Sequence, residues 1–140
     1  MGSCFLRATK PQTGTERSKG SRKDAVSDLQ MKIIYNNIIP FEGYKCINLF
    51  GILFARKDAK IDDVTINHES IHTKQMQEML FIFFYLWYFV EWFVKLFIYI
   101  NPHKTYKNVS FEREAFWMEK DKSYLKVRKH YAWLNVLFHS

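Results

Sequence analysis

Apolar residues show no pattern over the first part of the chain and a strong one after Met31. The opening stretch, "TKPQTGTERSKGSRKD" at residues 9 to 24, mixes Lys, Arg, Ser, Thr and Gly without periodicity. Such a segment buries too little apolar surface to offset its ordering entropy, so residues 1–30 are expected to be a disordered basic tail. It holds no apolar run of the kind a secretory signal peptide needs. From Met31 the character changes. "KIIYNNII" and "YKCINLFGILFAR" are β-branched and aromatic, with the turn-like "PFEG" between them. Two strands paired as a hairpin are expected, with Gly51 marking a bulge or a close approach.

After the charged "KDAKIDD" the apolar period becomes that of a helix. His68, His72, Met76, Met79, Phe83, Leu86 and Val90 recur at spacings of three and four, predicting one stripe along a long helix that starts near Val64. Asp62, Asp63 or Thr65 can cap it. The polar face vanishes after Glu78, and residues 79 to 90, "MLFIFFYLWYFV", carry no charge. Glu91 and Lys95 interrupt at i and i+4, "LFIYI" resumes, and Pro102 should stop the helix because Asn101 before it is pushed out of helical geometry. A final helix is expected from "FEREAFWMEKDKSYLKVRKHYAWL", with Ser110 as its N-cap and acidic and basic ends matched to the helix dipole. The predicted fold class is α+β. A small N-terminal sheet precedes the motif helix, an apolar helical segment over 79–100 and a C-terminal helix, all in one domain over 31–140.

Composition sharpens this outline. The 140 residues are 48% hydrophobic and 18% aromatic, more than a soluble core of this size needs. The apolar segment is long enough to span a bilayer. It fits a buried or dimer-forming helix, or one in contact with lipid. A helix dipping into or lying on the bilayer accommodates Glu91 and Lys95 better than a clean span does. The net charge of +7 suits nucleic acid, an anionic membrane surface, or nothing beyond solubility. In "KDKSYLKVRKH" the basic residues stand beside Glu119 and Asp121, the pattern of a solvated helix end, so no nucleic-acid partner is expected. Cys4 and Cys46, the two cysteines, make neither a disulfide framework nor a C-x-x-C pair, which points to a reducing compartment. The protein is expected to be cytoplasmic or membrane-associated.

The candidate chemistry lies in "NHESIH". On a helix, His68 and His72 at i and i+4 share one face and can reach one metal ion. Glu69 between them points beside that ion, where a general base for metal-assisted hydrolysis belongs. Zinc needs a third protein ligand. His103, His130, Glu112, Glu114 and Glu119 are candidates. Glu112 is favoured, because Ala115 on its helical face would let that helix pack closely on the motif helix. Tyr106, His103, Tyr124 and His130 are candidate oxyanion donors.

"HESIH" followed by "EREA" resembles the gluzincin branch of zinc metallopeptidases, whose pattern is H-E-x-x-H on one helix and E-x-x-A on a later one. The layout over residues 64–120 is similar to the membrane-embedded antirepressor and CAAX-prenyl-protease groups, and the small size to minimal zincins. The resemblance implies that His68, His72 and Glu112 bind Zn2+, that Glu69 is the catalytic base, and that the substrate is a peptide or protein. Phe116 stands where many relatives carry an Asp that orients the first histidine, so that role has no evident holder in the sequence. The competing class is a non-catalytic membrane or interaction domain with a structural or degenerate metal site.

Overall fold

The strand-forming residues of the first half assemble as a small sheet, and among the described residues six helices follow it, an α+β fold. The computed structural model describes residues 2–3, 31–40 and 44–139. The tail expected over 1–30 lies outside the described residues, except for Gly2–Ser3, which form the short strand β1. The "PFEG" turn lies outside them beyond Pro40.

The other strands are β2 (Lys32–Asn36), β3 (Cys46–Leu49) and β4 (Ile52–Arg56), in the sheet order β1-β3-β4-β2. The expected hairpin between "KIIYNNII" and "YKCINLFGILFAR" is corrected: β2 pairs with β4 in parallel. The hairpin lies inside the second stretch, where β3 and β4 are antiparallel. Phe50 and Gly51, both at positive φ (53° and 81°), form a two-residue turn whose twist matches the flanking strands. A Cβ on Gly51 would stand 3.3 Å from Thr73 Cγ2, so turn geometry and close approach both require glycine. Alternation along β3 and β4 puts Cys46, Asn48, Leu53 and Ala55 on the buried face.

The first helix, α1 (Asp63–Glu78), opens on Asp62, whose carboxylate accepts from the Thr65 N–H at 2.8 Å. The long helix expected from Val64 is in fact two. Leu80 and Phe81 adopt positive φ (51° and 58°), and a new helix, α2 (Ile82–Tyr99), starts after them. The break turns the stripe. His68, His72 and Met76 stay buried, but Phe83, Leu86 and Val90 face outward, and Phe84, Tyr88 and Glu91 take the inner positions. Met76, Phe84, Tyr88, Val109, Phe111 and Trp133 form the main core.

Asn101 is extended, as expected before proline, but the segment after it is helical. Its side chain accepts from the Lys104 N–H and caps α3 (Pro102–Asn108). Ser110 does not cap α4 (Ser110–Met118). Its N–H and hydroxyl both donate to Glu91, at 2.8 and 2.6 Å, so α2 supplies the anion at this helix start. The single C-terminal helix is also corrected, since α4 is followed by α5 (Tyr124–Val127) and α6 (Trp133–Phe138). Asn67 donates to the carbonyls of Met118, Glu119 and Asp121, which ties the end of α4 to α1 and ends the helix there.

Both charges of the apolar segment turn inward. Lys95 binds Glu91 at 2.7 Å and also donates to the Asn108 carbonyl. The outer surface of α2, including Phe83, Leu86, Phe89, Val90, Phe93 and Phe97, is exposed and uncharged. The helix is long and apolar enough to cross a membrane by length and composition.

Candidate metal centre

Close packing of α4 on α1 brings together residues distant in sequence. Ala115, fully buried and small, permits the approach, and Glu112 one turn earlier on the same face meets the two histidines. His68, His72 and Glu112 are all buried and form a group able to hold a metal ion. The two Nε2 atoms are 3.1 Å apart, and Glu112 Oε2 is 3.6 Å from that of His68 and 3.5 Å from that of His72.

These separations fit a small cation. Tetrahedral ligands at ~2.0–2.1 Å from an ion stand about 3.3 Å from one another. The point equidistant from the three atoms in their own plane lies about 2.0 Å from each, given those spacings.

The outer hydrogen bonds direct the lone pairs. His68 Nδ1 is 2.9 Å from Glu119 Oε2 and His72 Nδ1 is 2.7 Å from Gln75 Oε1. Both acceptors require the hydrogen on Nδ1, which leaves each Nε2 able to offer a lone pair to the centre. Glu112 Oε1 accepts from the Tyr88 hydroxyl at 3.0 Å, whereas Oε2 is buried without a hydrogen-bond partner. Three atoms that can act as electron-pair donors thus converge in a buried site, and either a metal ion or a proton on His68 relieves their mutual repulsion.

Without a metal, the proton takes that place. Burial works against charging His68, but its hydrogen bonds to Glu112 and Glu119 and the nearby Glu112 and Glu69 charges prevail and hold its pKa at about 10. Burial likewise opposes ionisation of Glu112, yet the adjacent His72 and His68 keep its carboxyl well below the usual range.

Glu69 is fully buried on the same turn as the histidines. Its Oε1 lies 4.0 Å from Cys46 Sγ, while Asn48 on β3 donates to its backbone carbonyl at 2.8 Å. The sheet thus lies against the motif helix beside Glu69.

The remaining candidates go elsewhere. Glu119 holds His68 by Nδ1 and is no member of the candidate ligand group. Phe116 packs edge-on against the His68 ring at 4.8 Å. Glu114 turns to Gln75, Tyr124 and Arg128. His130 is exposed beside Glu78, and His103 is exposed on α3. Of the candidate oxyanion donors, Tyr124 belongs to the Glu114 network, and Tyr106 stands next to Glu112. Burial, reinforced by the Glu112 charge, pushes the Tyr106 phenol far above its ordinary range. Sequence reasoning missed Tyr88 and Gln75. Gln75, three residues after His72, was open to detection by helical spacing, but Tyr88 was hidden by the helix break.

Comparison with protein-family models, with curated proteins and with solved structures finds no match.

Proposed function

We propose that this protein is a zinc-dependent peptidase of gluzincin type that works against a membrane surface. The observation that carries the reading is the buried His68–His72–Glu112 triangle, with Glu69 on the same helical turn. Two imidazoles and one carboxylate are a donor set that suits zinc.

Zinc held there supplies Lewis acidity towards a scissile carbonyl and towards water. The chain's own residues do the rest. Glu69 accepts the proton of the attacking water and passes it to the departing amine. Tyr88 holds Glu112 through Oε1, so that Oε2 stays directed at the centre. Glu119 keeps His68 in the tautomer that presents Nε2. Contact with lipid is proposed through the outer surface of α2, where the charges of the segment have been withdrawn into the protein.

Metal analysis of the full chain purified without chelator tests the reading. About one zinc per chain is expected, abolished by His72→Ala or Glu112→Ala, as a three-ligand site requires. Glu69→Gln should keep the zinc and lose peptide hydrolysis. A metal-free wild-type protein would overturn the proposal. Zinc retained by a protein that cleaves no member of a peptide library, soluble or lipid-anchored, would move it to the class of structural metal sites.

A further inference from the structure

A buried ionic chain outside the ligand group ends on one of its members. Gln75 is fully buried, and its Nε2 donates to the Phe111 carbonyl at 3.1 Å and to Glu114 Oε2 at 3.0 Å. Glu114 is itself gripped by the Tyr124 hydroxyl at 2.9 Å and by Arg128 Nε at 2.6 Å. Arg128 continues to Glu78, whose Oε2 it meets at 3.2 Å. The side chains of Arg128, Glu114 and Glu78 are all nearly inaccessible.

An ionic cluster so deeply buried is poor as a source of stability, because desolvation consumes most of its Coulombic gain. It does fix one thing. Both hydrogens of the Gln75 amide meet acceptors, and a flipped amide would set its carbonyl against the Phe111 carbonyl and the Glu114 carboxylate. The oxygen must therefore face His72 Nδ1, 2.7 Å away. With two carboxylates around one guanidinium, the cluster carries one net formal negative charge, and it polarises the amide in the direction that strengthens this acceptor.

We propose that Gln75 is the positioning residue of His72, locked in one orientation by Glu114, Arg128 and Glu78, so that His72 keeps its proton on Nδ1 and aims Nε2 at the metal centre. This rests on the peptidase reading for its purpose, but the tautomer it predicts exists without metal or substrate.

Imidazole 15N spectra of the metal-free full-length protein, with zinc affinity from chelator competition, test it. Wild-type His72 should show Nδ1 protonated. Gln75→Leu should populate the Nε2–H tautomer and weaken zinc binding by about 10- to 100-fold, the usual loss for an outer partner of a ligand. Glu114→Gln, which frees the amide to turn while preserving shape, should shift both readouts part of the way and serves if Gln75→Leu does not fold. Lys122→Ala, which breaks the exposed pair with Asp63, should change neither. An Nε2–H tautomer in the wild type overturns the proposal. So does an unchanged tautomer and zinc affinity in folded Gln75→Leu or Glu114→Gln, which would make the network purely architectural. Should the wild type take no zinc, the peptidase reading fails while the tautomer still decides this one.

Discussion

Glu112 in α4 and Glu119 at its C-terminal cap lie two helical turns apart, and that spacing separates a candidate ligand from the residue that orients one. Glu112 reaches the centre with Oε2, and Glu119, at the end of the helix, accepts from His68 Nδ1. The two carboxylates therefore respond differently to substitution. Glu112→Ala should abolish metal binding, whereas Glu119→Ala should weaken it by ~10- to 100-fold, with Glu119→Gln milder because an amide oxygen still accepts. Chelator competition separates the two. A proton and a metal ion also compete for His68. Its pKa in the metal-free fold, about 10, is raised from 6.5, so the folded chain binds a proton there that the unfolded chain lacks between those values. Stability of the metal-free protein from this group is complete below pH 6.5 and is lost as pH rises towards 10. Metal affinity should rise over the same window, as a displaced proton requires. Urea titrations and zinc titrations at a series of pH values read the two opposite slopes.

Between residues and fold stand the elements, and there the most informative contact is Glu91 on the start of α4. One carboxylate takes the Lys95 ammonium, the Ser110 hydroxyl and the Ser110 N–H. Glu91→Ala would leave a partly buried ammonium without its anion and uncap the helix that carries Glu112, a loss of up to about 3 kcal/mol. Urea unfolding should show that loss, while the paired replacement Glu91→Met, Lys95→Met should recover only the part due to the orphaned ammonium, because the buried Ser110 N–H and hydroxyl still lose their acceptor. Gly51→Ala is expected to destabilise as well, because φ is 81° and the new Cβ meets Thr73. These contacts also mark how far the sequence could be read. Helical spacing on α1 and the capping power of Asp62 follow from local rules, and both are legible in the residues themselves. Leu80 and Phe81 at positive φ are not legible. Neither is glycine or asparagine, and the break is stabilised by packing, such as Phe81 against Phe50, that exists only in the fold. The face of α2 was accordingly misassigned, and with it Tyr88. Parallel pairing of β2 with β4 is likewise a decision of tertiary packing, since strand composition does not set direction.

At the scale of the whole molecule, α2 divides two environments. Its inner strip, Phe84, Tyr88 and Glu91, packs on the protein, and Tyr88 reaches a residue of the metal centre. Its outer surface holds Phe89, Phe93 and Phe97, each about half exposed or more, with no charge among them. A helix bound to protein along one side cannot be wrapped by lipid, which favours one-sided insertion at the interface over a clean span. At the far end Lys104 lies over the Tyr99 ring at 5.1 Å, and Lys107 is exposed nearby, a placement suited to anionic headgroups. Flotation with vesicles of phosphatidylcholine and phosphatidylglycerol should therefore carry the protein, more strongly as the anionic fraction rises and less strongly with salt. Each exposed phenylalanine contributes up to ~1.5–3 kcal/mol when fully buried in an apolar phase. The pair Phe93→Ser, Phe97→Ser should accordingly lower the partition coefficient at least tenfold and leave bound zinc unchanged. The alternative occupant is a second copy of the chain. In that case sedimentation without lipid would show a dimer that the same pair of substitutions dissociates, and vesicles would not compete with it. Lipid contact predicts the reverse: vesicles take up the chain as a monomer.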